Sequence, residues 1–450
     1  MNRMLSRFAL PAGALLVLWI LTACAPLSPL PPADTASDAM PAAVTVDVAT
    51  VIGPVSPLLY GSGYGPWVSL RPETLPLAYD AGITVLRWPG GEWGDHNDIR
   101  YPQLDQFVEL AHQMGAEPYI HVRFLDSTPE VAADVVRHAN VEMGYNIRYW
   151  AIGNEPSLFE AGDHPWDAAA FSAEWRKFAA AMKAVDPTIL LLGPETHQYT
   201  GTPDVDPVDS SGRDWLRTFL AANGDLVDIV AVHRYPFPNN AERTSATIPD
   251  LRADAPRWTE IARNLHATTM EETGRALPIA FTEVNSHWTR SIRGEATPDS
   301  LFSALWLGDV LGRLMTERVT MMTQFLLVTG GDSGFGLLEK YGPRPSYFTY
   351  QLYKYFGHTL VASSSPLDDV TAYAALTADG ALTVMLINLT DVEQSLPLAI
   401  TGLDDPAGER VRQAERRLFD VEHTAEMMGS VDTTAPVVLP AQSMTLLTFP

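Results

Sequence analysis

The chain has 450 residues, 46% hydrophobic and 19% charged, with a formal net charge of −24. That balance is globular rather than disordered, and the acidic excess argues against nucleic acid or anionic lipid as the main partner, because basic surfaces hold both; solubility alone is the alternative reading of the charge. The length suffices for a barrel plus an accessory domain, and a single cysteine, Cys24, excludes a disulfide framework or a thiolate metal site.

Residues 1–23 read as a targeting segment. Arg3 and Arg7 make a basic start, and Leu10 to Ile20 is an apolar run too short for a comfortable membrane span. Leu21-Thr22-Ala23-Cys24 follows and resembles the lipobox of bacterial lipoproteins. The resemblance implies a lipidated Cys24 as the mature N-terminus. It also implies a place on the bacterial cell envelope, facing the periplasm or the exterior, with the lipid as the sole membrane contact. A cleaved secretory signal without lipid is the alternative. Residues 24–41 are rich in Pro, Ala and Ser, cannot bury a core, and read as a tether.

Val44 to Val51 reads as a strand, and residues 42–56 are expected to join a later β-domain. From 57 to 356, apolar strand-like runs alternate with helical stretches, which predicts a parallel sheet with helical crossovers. The strands are Leu58–Gly63, Ile83–Trp88, Glu117–Phe124, Arg148–Gly153, Thr188–Gly193, Asp228–His233, Pro278–Glu283 and Thr320–Val328. Between them, Tyr101–Gly115 puts Leu104, Phe107, Val108, Ala111 and Met114 on one helical face, and Trp166–Val185 and Leu301–Thr316 behave alike. This α/β pattern predicts a (β/α)8 TIM barrel. A doubly wound open sheet is the alternative, disfavoured because no Gly-rich phosphate loop follows the first strand. Residues 357–450 change to period two, with strands at Val370–Leu376, Leu382–Asn388, Ser395–Ile400 and Met444–Phe449. They predict an all-β sandwich completed by the N-terminal strand.

The chemistry concentrates at two strand ends. Trp150-Ala151-Ile152-Gly153-Asn154-Glu155-Pro156 delivers a carboxylate to the tip of the fourth barrel strand, and Phe281-Thr282-Glu283-Val284-Asn285 delivers another at the seventh. Barrel active sites lie at the C-terminal strand ends, and glycoside hydrolysis uses paired carboxyls. With these positions, Gly-Asn-Glu-Pro and Thr-Glu-Val-Asn resemble clan A of the glycoside hydrolases. Together with Leu86-Arg87-Trp88-Pro89-Gly90-Gly91, they are similar to families 39, 44, 51 and 79. The resemblance implies a retaining hydrolase of poly- or oligosaccharides that needs no cofactor or metal. Glu155 would be the acid/base, Glu283 the nucleophile, Asn154 a partner of the sugar 2-hydroxyl, and Arg87 a support for the nucleophile. The acid/base role requires a raised pKa at Glu155. A transglycosylase and a glycan-binding lipoprotein with an inactive barrel are the competing functions.

His233 and Tyr235 end the sixth strand; the clan resemblance implies contact with the nucleophile or the sugar, while a satisfied core histidine is the plain alternative. Trp288, after the nucleophile strand, and Trp88, Trp93 and Trp67 on top-face loops are candidates for stacking on a sugar ring, or for core packing. Glu92, Asp95, His96 and Asp98 crowd one loop, which offers a cation site or a set of sugar-hydroxyl contacts; without the spacing of a calcium loop, a solvated polar loop is expected.

Overall fold

The computed structural model describes residues 42–160, 166–237, 245–403 and 408–450. Cys24 and the expected targeting segment and tether lie outside the described residues. No described helix is long and apolar enough to cross a membrane.

The first strand, β1 (Val44–Pro54), is followed by eight parallel strands that close into a barrel in sequence order. They are β2 (Gly61–Gly63), β3 (Val85–Trp88), β4 (Glu117–Val122), β5 (Tyr149–Ile152), β6 (Leu190–Thr196), β7 (Ile229–Arg234), β8 (Ile279–Val284) and β9 (Met321–Gln324). The ring shuts where Gly61 and Ser62 of β2 pair with Thr323 and Gln324 of β9. Each expected barrel strand is present, and the last is shorter because the ladder ends at Gln324. Helices wrap the outside. Tyr101–Gln113 buries Leu104, Phe107, Val108 and Ala111. Ala168–Val185 starts where the Asp167 side chain accepts from the Ala170 amide. Leu301–Thr316 is capped by Ser300 and buried nearly all round, because it lies between the barrel and the second sheet.

The barrel interior follows the two-residue period of strands. Val85, Tyr119, Ala231, Ala280 and Met321 belong to one apolar plug. Two residues further along the same strands stand Arg87, His121, His233, Thr282 and Thr323, all buried. The polar layer is therefore the next tier up, at the C-terminal mouth.

The remaining strands are β10 (Thr359–Ser364), β11 (Val370–Leu376), β12 (Leu382–Asn388), β13 (Gln394–Leu396), β14 (Leu398–Thr401), β15 (Gln413–Phe419), β16 (Thr424–Asp432), β17 (Val437–Leu439) and β18 (Ser443–Phe449). With β1 they form one eight-stranded sheet, ordered β14-β1-β10-β11-β12-β18-β15-β16, and a two-stranded ribbon, β13-β17. Leu396, Val437 and Leu439 of the ribbon share a core with Val44, Val46 and Leu386 of the large sheet. The run expected over Ser395–Ile400 divides at Pro397, which has no amide hydrogen to give a ladder. The sheet locks onto the helix Leu301–Thr316: the Tyr373 hydroxyl donates to Asp309 at 2.6 Å, and Gly308 and Gly312 leave room for Met444 and the Tyr373 ring.

Candidate active site

Three carboxylates reach the barrel mouth, each from a locally irregular backbone. Glu155 follows β5 with φ 47°, just after Gly153 at φ 77°. A non-glycine residue there costs on the order of 1–2 kcal/mol. The turn swings Glu155 over the mouth, and Pro156 opens a short 3-10 turn that prevents the strand from continuing. In β8, the register against β7 shifts between Phe281 and Glu283, so Thr282 is an extra residue. Such a bulge re-aims side chains: Thr282 and Glu283 both serve the interior, which a regular strand would forbid. In β6 the register shifts between Pro194 and Thr196, around Glu195 at φ 63°.

Arg87, fully buried on β3, ties the cluster together. It donates to Glu283 at 3.0 Å, to Glu195 at 2.9 Å and to Asn154 Oδ1 at 2.8 Å. Burial opposes its charge, but Glu195 and Glu283 outweigh burial and hold its pKa above the ordinary range. The other oxygen of Glu283 accepts from the Tyr235 hydroxyl at 2.6 Å. His233 Nδ1 lies 2.9 Å from Glu155 and 4.0 Å from Glu283, and its Nε2 lies 3.0 Å from Glu195. One ligating atom from each of Glu155, His233 and Glu283 lies within 4.8 Å of the other two. Arg87 is the fixed countercharge to Glu283 within this trio, and His233 lies between the two carboxylates.

Burial pushes Glu155 up, yet the hydrogen bond and charge of His233, helped by His197 and Arg87, outweigh it and leave the pKa below the ordinary value. The expectation of a raised pKa at Glu155 is therefore reversed in the free protein. Glu283 is raised instead: burial and the neighbouring Glu155 charge exceed the relief from His233, Arg87 and Tyr235. Burial would lower His233, but Glu283, Glu155 and Glu195 lift it to about 9. These opposite shifts favour a proton on the imidazole, whose Nδ1 lies 2.9 Å from Glu155, over one on Glu155 itself.

Glu155, Tyr235, Glu283 and Trp288 line one cavity of about 440 Å3, with His197 and Phe325. Neighbouring cavities of about 400 and 410 Å3 share Glu92 with it. Asn154 lines the first of these, and Trp67 and Trp93 the second. Trp67 and Trp288 are about half exposed. Trp88 is corrected: it stands one residue after Arg87, so the strand period turns it outward, where it is 1% exposed and stacks on Phe107 at 5.3 Å. The acidic loop also disperses. Asp98 pairs with Arg123 at 2.9 Å, and buried Asp95 accepts the Asn154 amide at 2.9 Å, fixing the turn that carries Glu155.

Glu195, Tyr119 and Phe325 were not among the residues singled out from the sequence. Glu195 carried a readable signal: Gly193-Pro194-Glu195-Thr196 ends an apolar run with a glutamate, as the two chosen motifs do.

No protein-family model matches the chain. An intracellular exo-alpha-(1->5)-L-arabinofuranosidase of Streptomyces lividans is 22% identical over 56% of this chain and 46% of its own length. A probable alpha-L-arabinofuranosidase C of Aspergillus clavatus is 27% identical over 48% of this chain and 50% of its own. The chain thus spans about half the length of these curated relatives. Among solved structures, CelM2, a bifunctional glucanase-xylanase from a metagenome library, superposes with TM-score 0.71 at 19% identity, over 91% of this chain and 99% of that one. The family 51 arabinofuranosidase of Xanthomonas axonopodis pv. citri gives 0.70 at 16%, over 91% and 100%. The family 44 endoglucanase Cel44A of Clostridium thermocellum gives 0.68 at 16%, over 91% and 99%. The barrel with its added β-domain is the fold of these proteins, and families 51 and 44 are two of the four that the motifs resemble.

Proposed function

We propose that this chain is a retaining O-glycosidase acting on poly- or oligosaccharides, with Glu283 as nucleophile and Glu155 as acid/base. The observation that carries the reading is the meeting of two glutamates from β5 and β8 in one cavity, with carboxylate oxygens within 4.8 Å. Double displacement uses carboxyls about 5–5.5 Å apart, whereas inversion needs about 6.5–9.5 Å to admit a water. Glu283 attacks the anomeric carbon, and the Glu155–His233 pair supplies the proton to the departing oxygen. Glu155 then takes a proton from water, which displaces Glu283 and frees the sugar. Arg87 and Tyr235 keep Glu283 able to ionise against its burial.

The names of the relatives make aryl α-L-arabinofuranosides the first substrates to try, followed by xylosides, glucosides, glucuronides and polymeric glucans and xylans. Glu283→Ala abolishes turnover of any substrate found, and azide then yields a glycosyl azide of inverted configuration. Glu155→Gln spares the first step for activated leaving groups. Normal activity in Glu283→Ala defeats the assignment. The proposal includes lipid attachment at Cys24 on the cell envelope, tested by fatty-acid labelling of the wild type against Cys24→Ser.

A further inference from the structure

Glu195 makes four hydrogen bonds and touches none of the cavities that hold Glu155 and Glu283. Its carboxylate is fully buried. One oxygen accepts from the Tyr119 and Thr282 hydroxyls, both at 2.7 Å. The other faces Arg87 at 2.9 Å and His233 Nε2 at 3.0 Å. A carboxylate with four partners has no capacity left for a sugar, so its work is done through its neighbours. Two of those neighbours face carboxylates that line the cleft: Arg87 faces Glu283, and His233, itself fully buried, faces Glu155 through its opposite nitrogen.

We infer that Glu195 is a positioning residue that pins the Nε2–H of His233, so that the imidazole stores on Nδ1 the proton that Glu155 delivers to the leaving oxygen. This rests on the retaining-glycosidase reading. The ring has two nitrogens and two carboxylate neighbours. With Nε2–H held by an ionised Glu195, the proton on Nδ1 is the mobile one. Glu195 stays ionised because Arg87, His233 and Thr282 overcome its burial and bring it down to about 2.

The steps balance. The Nδ1–H bond breaks and an O–H bond forms on Glu155, leaving a neutral imidazole that keeps Nε2–H. Glu155 passes that proton to the glycosidic oxygen as the bond from the anomeric carbon breaks; the electron pair goes to that oxygen, and Glu283 bonds to the carbon. In the second step water bonds to the carbon, Glu283 leaves as carboxylate, and the water proton passes to Glu155 and back to Nδ1. The other charged or titratable groups around His233 are Arg87 on β3, His121 on β4, His197 after β6, and Glu283 on β8. Burial and then Arg87 hold His121 well below its usual value, so it stays neutral and does not compete for the proton.

Two measurements test this. In wild-type protein labelled with 15N-histidine, His233 (one of 11 histidines, assigned with His233→Gln) is doubly protonated at pH 7.5 and titrates near 9. A neutral ring at pH 7.5 overturns the inference whether or not any variant folds. In kinetics, Glu195→Gln moves the alkaline limb of kcat/KM down by about 1–2 pH units. It slows an alkyl or phenyl glycoside far more than a 2,4-dinitrophenyl glycoside, whose leaving group needs no proton, while Glu195→Asp restores the limb. Equal losses on both substrates with an unmoved limb leave Glu195 a structural role only and overturn the inference. A wild type inactive on every glycoside, with His233 titrating near 9, instead defeats the glycosidase reading.

Discussion

Tyr235→Phe removes one oxygen atom and isolates one interaction. The hydroxyl lies 2.6 Å from Glu283 Oε1, and Arg87 serves Oε2 at 3.0 Å. Burial holds the Tyr235 phenol well above its ordinary pKa, so it remains a donor throughout the working pH range. A hydrogen bond to a charged group contributes about 1.5–3 kcal/mol. The ring is 7% exposed, so water does not readily replace the lost donor. The bond favours ionised Glu283, and losing it raises a pKa that burial has already raised. At 1.36 kcal/mol per unit, the rise is about 1–2 units. As Glu283 bonds to carbon it gives up charge, so part of that stabilisation is absent from the transition state. The plateau of kcat/KM above the limb therefore does not fall on this account, and the loss of activity is confined to pH values below the shifted limb. The assay is kcat/KM against pH on an activated aryl glycoside, where the protonation of the leaving group drops out. An acid limb in the same place as wild type refutes the reasoning.

Trp288→Ala raises KM by up to about tenfold, since an aromatic platform contributes about 0.5–1.5 kcal/mol beyond its area. The side chain is 43% exposed, so its urea midpoint stays near wild type. Gly312→Ala would drive a Cβ into the Tyr373 ring between barrel and sheet. Overpacking of this kind costs about 1–3 kcal/mol, read as a lower Tm with kcat/KM kept. Asp254→Ala orphans the Arg234 guanidinium and the Trp258 and Trp306 indoles, which it accepts at 2.5, 3.1 and 3.1 Å. Breaking a buried pair costs about 3–5 kcal/mol, read as a fall in urea midpoint at unchanged slope.

The barrel was legible because each strand is a short apolar run and each helix shows its buried face. Leu104, Phe107, Val108 and Ala111 recur at helical spacing and are buried together. In the sheet, β11 and β12 were found at their observed bounds, since their apolar runs fill a core. Strands β15 and β16 were missed: β15 carries Glu415, Arg416 and Arg417, and β16 is mostly exposed, so neither shows a period. Within the site, strand counting located Glu155 and Glu283, but the bulge that turns Glu283 inward leaves no mark on composition. Trp88 was misread because it was placed by its neighbours in sequence rather than by the parity of its strand. Glu195 was missed for a similar reason: its strand was expected to end at Gly193, two residues before it.

The place of β1 in the sheet has a consequence for synthesis. It lies between β14 and β10, and it leaves the ribosome before the rest of the described fold. Its antiparallel partner begins at Thr359, and its parallel partner at Leu398. At roughly 5–20 residues per second, β1 waits about 15–60 s for its first neighbour. During that time Val44, Val46 and Val48 present an apolar face that nothing yet covers. A nascent chain of this design carries its first strand without a sheet partner until its last strands are made.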